Sequence, residues 1–208
     1  MGTALNLLIL ESHAGAADRA AAQLEAEGHT VHRCHDGDGQ AFPCVGVTTP
    51  HGCPIDQQVD VALLVRRGVG PAPTPLEDGV PCALRSGIPV VEDGTDLLDP
   101  YAEYITTRVG VDESLADACE RAVVEAMEPL EAEVAAALVP FLESNGMQAG
   151  DCEVRLEPRG DLLRIHLHAG DLSPTLTGQL SVKAVDTVRA MRRTWPSIEV
   201  TTADLAPN

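Results

Sequence analysis

Residues 5–34 read LNLLILESHAGAADRAAAQLEAEGHTVHRC, and the fold class turns on this stretch. Leu5 to Leu10 is a short apolar run suited to a strand buried on both faces, and it stops at Glu11-Ser12-His13. Strong helix formers fill Ala16 to Glu27, with Ala17, Ala20, Ala21 and Leu24 on one face, before Gly28 supplies a stop. His29 to Cys34 then alternates as a second strand would. Strand, helix and strand in that order make a β-α-β unit, whose strands run parallel and need helices packed over them.

The same reading extends downstream. Between Asp36 and Gln58 periodicity disappears: Gly37, Gly39, Pro43, Gly46, Pro50, Gly52 and Pro54 interrupt any regular element, with Cys44 and Cys53 among them. So long an irregular stretch inside a domain is functional, held by something, or mobile. Val59 to Val65 reads as a third strand, Arg66 to Pro75 as a Gly/Pro loop, and Cys82 to Arg85 as part of a short helix before Gly87 and a strand at Ile88 to Val91. Tyr101 to Val109 reads as a last strand, and Asp112 to Met127 as an amphipathic helix with acids at its positive end. Pro129 ends or kinks that helix, which places a domain boundary there and gives domains of 1–128 and 129–208. The second reads as a helix from Leu130 to Ser144 and strands at Asp151 to Glu157 and Leu162 to His168, joined by Pro158-Arg159-Gly160-Asp161. A helix from Leu176 to Thr194 and a strand at Ile198 to Thr202 complete a small α-β-β-α-β module.

Composition agrees with that architecture. Hydrophobic residues are 44% of the 208 but aromatic ones only 2%, so the interior is built from Ala, Val and Leu, which suits helices on a parallel sheet. The formal charge of −18 repels phosphate backbones and anionic headgroups, and no Lys/Arg run offsets it, so nucleic acid and membranes are not expected partners. The charge reads first as a solvated, salt-tolerant surface and second as a docking face for a basic protein. Leu5 to Leu10 is too short to span a bilayer and lacks the basic flank of a signal peptide, so a cytoplasmic protein is expected. Its six cysteines are then expected to be reduced.

The string LLILESHAGAADRAAAQLEAEGHTVHRCHDG, residues 7–37, resembles the opening of response-regulator receiver domains, where an apolar strand meets an acidic pair and a helix leads through a glycine into the second strand. The resemblance runs from Leu5 to Met127 with gaps. It implies a receiver-like, flavodoxin-like parallel sheet carrying a cysteine-containing insert. In receivers the acidic pair holds magnesium; here Glu11 matches one position and Ser12 departs from the other. The phospho-acceptor aspartate closes the third strand, but Asp60-Val61-Ala62-Leu63-Leu64 ends in Val65, which cannot accept a phosphoryl group. Glu92 stands where a Ser or Thr is expected, and Thr107-Arg108 where a Lys-Pro pair is expected. The resemblance is therefore to a degenerate receiver, a pseudo-receiver without aspartyl phosphorylation or its magnesium site. The C-terminal module is similar in element order to the alkaline shock protein family.

Ligands of open parallel sheets bind beyond the carboxyl ends of the strands. That rule gathers His13, Cys34, His35, the Cys44/Cys53 insert, Arg66 and Cys82 on one rim. Cys34, Cys44, Cys53 and Cys82 are the candidate ligands of a zinc ion or an iron–sulfur cluster, since thiolates suit both, and such a staple would order the insert. Their spacings contain no Cys-x-x-Cys pair, so the competing reading is individual packed or exposed thiols. Cys119 and Cys152 read as packing residues, and His32 and His51 as spare ligands or solvated side chains. Gly68-Val69-Gly70 lacks the helix and lysine of a phosphate loop, and Asp93, Asp96 and Asp99 are out of register for a calcium hand. Ser86-Gly87 lacks a nucleophile elbow. His166 and His168 share a strand face, and Trp195 reads as a helix-end anchor.

The expectation is thus a non-enzymatic regulatory or protein-interaction protein with no catalytic residues, presenting a rim, metal-stapled or not, to a protein partner. One alternative is an enzyme using a metal-bound or low-pKa thiol on that rim, with His13, His35 or Glu92 as base. Another is a homo-oligomer assembled through the C-terminal module.

Overall fold

Alternation has nowhere to show itself in a strand covered on both sides, and Leu7, Leu8, Ile9 and Leu10 of β1 (Asn6–Glu11) are all buried. The computed structural model describes residues 4–35, 41–48, 52–68, 70–94, 99–159, 162–170, 172–191 and 195–203. Chain contacts divide it into two units, Met1–Glu125 and Ala126–Asn208.

In the first unit β1 is joined by β2 (Thr30–Arg33), β3 (Val61–Arg66), β4 (Val90–Gly94) and β5 (Thr107–Arg108) in a sheet of order β2-β1-β3-β4-β5. Every pairing is parallel, with Leu7 beside Val61 and Glu11 beside Val65. One face carries Leu7, Ile9, Val61, Leu63, Val65 and Val91 against Ala17, Ala20, Ala21 and Leu24 of helix α1 (Asp18–Ala26) and its entry. Ala118, Cys119, Ala122 and Val123 complete that core; they belong to a later helix, α4 (Leu115–Ser144). The opposite face carries Leu8, Leu10, Ala62, Leu64 and Val90 against Cys34, Val59, Ile88 and helix α3 (Gly79–Arg85), through Val80 and Ala83. Small apolar side chains on both faces are what let helices cover this sheet without aromatic filling. At the amino end, Asp60 accepts the Asn6 N–H at 2.9 Å while its own N–H reaches the Asn6 carbonyl at 2.8 Å, which registers β3 on β1.

In the second unit β6 (Cys152–Arg159), β7 (Leu162–Ala169) and β8 (Ser197–Ala203) form a three-stranded sheet, β6 antiparallel and β8 parallel to the central β7. Here alternation is plain, because only one face is covered: Leu163, Ile165, Leu167 and Ala169 are buried, while Arg164, His166 and His168 are partly exposed. The covered face packs on Val134, Leu138 and Leu142 of α4, on Leu180, Ala184 and Val188 of helix α5 (Pro174–Arg189), and on Trp195.

Three expectations are corrected. Asp112–Met127 and Leu130–Ser144 are one helix, α4, which runs through Pro129 and Pro140. Both prolines are exposed, so the carbonyls they leave without an intrahelical donor, those of Glu125 and Ala136, can turn to water. The expected strand at Tyr101 to Val109 shrinks to Thr107–Arg108, because Tyr101 to Tyr104 forms a turn closed by the Tyr104 N–H on the Tyr101 carbonyl at 2.7 Å. The cysteine insert is not irregular throughout: it holds a short helix, α2 (Val45–Thr48), and a 3-10 turn at Pro54–Gln57. The expected turn at Gly160-Asp161 lies outside the described residues.

Candidate functional site

Every strand of the first sheet points its carboxyl end the same way, so the residues that close the strands share one rim. Glu11 closes β1 and is buried. Its Oε2 accepts the Ala17 N–H at 3.1 Å and lies 3.8 Å from Arg33 Nη1, while Arg33 Nη2 reaches Asp18 at 2.8 Å. Ser12 ties two loops together: its hydroxyl accepts the Arg67 N–H at 3.2 Å and its N–H reaches the Val65 carbonyl at 3.0 Å. A magnesium ion of the kind a receiver resemblance implies needs several hard oxygen ligands in one place. Glu11 is committed to a backbone N–H and an arginine, Ser12 to backbone, and Val65 has no side-chain oxygen and packs into the core beneath. These residues do not fit the ion.

β3 ends in a buried charge instead. Arg66 and Glu77 are both fully enclosed, with Arg66 Nε 3.0 Å from Glu77 Oε1. The guanidinium also donates to the carbonyls of Gly70 at 2.6 Å and Ala72 at 2.9 Å, and Glu77 Oε2 accepts the Thr74 N–H at 2.7 Å. One planar fork with several donors therefore folds the loop after β3 back on the strand end. The neighbouring Gly94, in register with Arg66, has no room for a side chain: a Cβ there would lie 2.6 Å from the Arg66 carbonyl oxygen.

The next strand end is likewise neutralised from within. Arg108 bridges Glu92 and Asp99, each at 2.7 Å. Burial pushes the Glu92 carboxyl above its ordinary value, against the pull of the Arg108 hydrogen bond and with the Asp99 charge adding to the rise. Arg67, more exposed, pairs with Asp93 at 2.6 Å.

Two thiols, Cys34 and Cys82, lie on the α3 side of the same rim. Cys34 follows β2, is buried, and sits against the first residue of α3: a Cβ on Gly79 would meet its Sγ at 2.9 Å. Cys82 lies one turn further along α3, where Arg85 Nη2 is 3.2 Å from its Sγ. Cys44 precedes α2, accepting the Val47 N–H at 2.9 Å on its carbonyl. A Cβ on Gly46 would lie 2.9 Å from Cys53 Cα, so α2 rests on Cys53, and Ile55 packs against the core that contains Cys34. Burial pushes the Cys34 thiol up to about 12, and the charges of Cys53, Cys82 and Cys44 push it the same way. Cys34 thus borders the start of α3, and Cys53 borders α2. As the side chains stand, no group of three His, Cys, Asp or Glu among the described residues is arranged to hold a metal ion. Beside Cys34, the His35 ring is buried with neither nitrogen hydrogen-bonded to a described residue.

Other candidates resolve into structure. Cys119 and Cys152 are packed in the two cores, and Trp195 is buried in the second unit. His166 is held between Thr201, 2.7 Å from Nδ1, and Glu157, 3.3 Å from Nε2, and stacks on His168 with centroids 6.3 Å apart. A groove of about 940 Å³ in the second unit runs along β6, but Glu131 there accepts the Leu156 N–H at 2.8 Å and pairs with Arg155. His51, Val69 and Asp96 lie outside the described residues.

Sequence reasoning named the strand ends that line the rim but missed three partnerships: Glu77 for Arg66, Arg108 for Glu92, and Arg85 for Cys82. The signal available was a buried-strand arginine, since Arg66 continues an apolar run and needs an acid within reach. No protein-family model, no curated protein and no solved structure matches the chain.

Proposed function

We propose that the protein is a non-enzymatic regulatory module, a receiver-like domain that works without phosphoryl transfer and presents its rim to a protein partner. The strand order β2-β1-β3-β4-β5 supports the finer, flavodoxin-like reading of the parallel sheet. The observation that carries the proposal is the buried Arg66–Glu77 pair at the end of β3, with Val65 turned into the core. The place where a receiver would carry its acceptor is occupied by a structural clamp. The only aspartate of that segment, Asp60, sits at the other end of the sheet and is spent on the Asn6 N–H. Cations that would serve a phosphoryl group, Arg66 and Arg108, are each already matched by carboxylates.

A protein is the expected partner because the −18 charge disfavours nucleic acid and anionic lipid. Phe42 and Val47, 82% and 75% exposed on the insert, supply apolar anchors for it to cover. An enzyme built on a low-pKa thiol gains no support from Cys34, whose thiol is held protonated at neutral pH.

The test is amide NMR of the full chain titrated with magnesium and beryllofluoride, which mimics an acyl phosphate. The expected outcome is unchanged resonances for Ser12, Val65, Arg66 and Glu92. Saturable shifts confined to those residues would overturn the proposal.

A further inference from the structure

The sheet of the second unit has two edges, β6 and β8, and they are finished differently. We propose that the outer edge of β8 pairs antiparallel with β8 of a second copy of this chain, about a two-fold axis at Val200, joining the two sheets into one. The inference concerns the second unit alone and stands whatever the rim of the first unit does.

The β6 edge is closed. Glu131 accepts the Leu156 N–H at 2.8 Å, so that donor points away from β7. In an antiparallel ladder alternate residues face the same way, which puts Cys152, Val154 and Pro158 on the outer edge with Leu156. Pro158 has no N–H to offer, and the Leu156 donor is already taken. Charge guards the same strand, since Arg155 pairs with both Glu131 and Glu153. These are devices by which an edge strand refuses a neighbour.

β8 has none of them. SIEVTTA, residues 197–203, contains no proline and one charge, Glu199, which Arg164 of the same chain neutralises at 2.8 Å. Where a strand is paired parallel on one side only, alternate residues turn both N–H and carbonyl outward, and no described strand receives those of β8. Packing is unfinished at the same place. Leu163 and Ile165 of β7 are fully enclosed, whereas their partners on β8, Ile198 and Val200, pack against the same core but stay partly exposed. A further strand beside β8 would satisfy the backbone and cover both side chains at once.

A second copy fits that place for three reasons. With the strands antiparallel about Val200, Ile198 of each copy meets Thr202 of the other and Glu199 meets Thr201, so β-branched residues face one another and no two carboxylates do. A chain of charge −18 repels its like, and approach is least opposed where the surface is locally neutral, as β8 with Arg164 is. Because β6 is blocked, pairing through β8 stops at two copies and gives a closed dimer rather than a fibre. Seven residues a side is small beside the about 20–30 of a standard interface. The dimer is therefore weak, with a Kd on the order of 10 μM.

The test is sedimentation velocity of the full chain, with reductant, between about 1 and about 300 μM, a range that brackets that Kd. Salt at about 1 M shortens the screening length to about 3 Å and removes the long-range repulsion between copies. A shift from monomer to dimer over the range is expected. Val200→Lys, which sets two ammonium groups face to face at the axis, should weaken it at least tenfold. Val182→Lys, on the exposed face of α5, should leave it unchanged. A monomer at every concentration overturns the proposal, and so do assemblies larger than a dimer. So does a dimer that keeps its strength in Val200→Lys, or one that dissolves in Val182→Lys and thus forms through α5. Should Val200→Lys lose its fold by circular dichroism, hydrogen exchange of the unsubstituted chain decides. Amides of residues 197–203 that slow as the dimer forms, with those of 152–159 unchanged, support the β8 edge; the reverse, or no change in either strand, contradicts it.

Discussion

At the scale of single residues, the rim is governed by what a buried charge requires. Arg66 and Glu77 are enclosed together, and removing one partner strands the other in a low-dielectric place. Glu77→Leu is expected to cost about 3–5 kcal/mol in urea unfolding. The double variant with Arg66→Met should recover part of that loss, since the stranded charge is gone. Gly94→Ala tests the neighbouring close approach: its Cβ meets a backbone oxygen, which cannot swing aside as a side chain would, so a loss of about 1–3 kcal/mol is expected. Glu92 sets a pH dependence. Because burial raises its folded value above the ordinary 4.5, the folded chain holds this proton more tightly than the unfolded one. The carboxyl therefore withdraws stability as pH rises from 4.5 through its folded value. Unfolding free energy of the wild type should fall more steeply over that range than that of Glu92→Gln, and parallel curves would contradict the assignment.

Elements obey local sequence until packing or solvent overrides it. Proline inside a helix costs about 3 kcal/mol relative to alanine, which is why Pro129 reads as a break. α4 nevertheless continues, because Pro129 is exposed while Met127 and Val134 on either side are buried in the second core. Pro129→Ala should raise stability by about 1–3 kcal/mol, measured by denaturant unfolding; no gain would mean that the ring itself makes a needed contact. The β1-α1-β2 unit was legible because apolar run, helix formers and stop glycine agree. The second sheet was legible because one covered face forces alternation. Tyr101 to Val109 was misread because the β-favouring residues Tyr101, Tyr104 and Ile105 serve a turn, anchored by the buried Tyr101 with Tyr104 exposed, rather than a strand. The insert resisted reading because its order rests on contacts that no periodicity announces, such as Gly46 with Cys53 inside it and Ile55 with the Cys34 core.

For the whole molecule, charge is the dominant property. A chain carrying −18 repels itself when compact, and salt relieves that repulsion. Raising ionic strength from about 0.1 M to about 1 M shortens the screening length from about 10 Å to about 3 Å. Tm should rise by at least about 2–4 °C, equivalent to about 1 kcal/mol for a chain of this size; a fall would mean that the exposed ion pairs outweigh the net repulsion. Among the described residues, no helix is long and apolar enough to cross a membrane. Function was less legible than fold for a physical reason: the rim's carboxylates and guanidiniums can be listed from sequence, but whether they await a ligand or satisfy one another depends on pairings such as Arg66 with Glu77 and Arg108 with Glu92. Those pairings are internal, and they underlie the claim that this sheet has exchanged phosphoryl chemistry for a fixed surface. The most direct measurement is the intact mass of the full chain after incubation with acetyl phosphate and magnesium. An unchanged mass is the expected result; gain of a single phosphoryl group that hydroxylamine removes would contradict it.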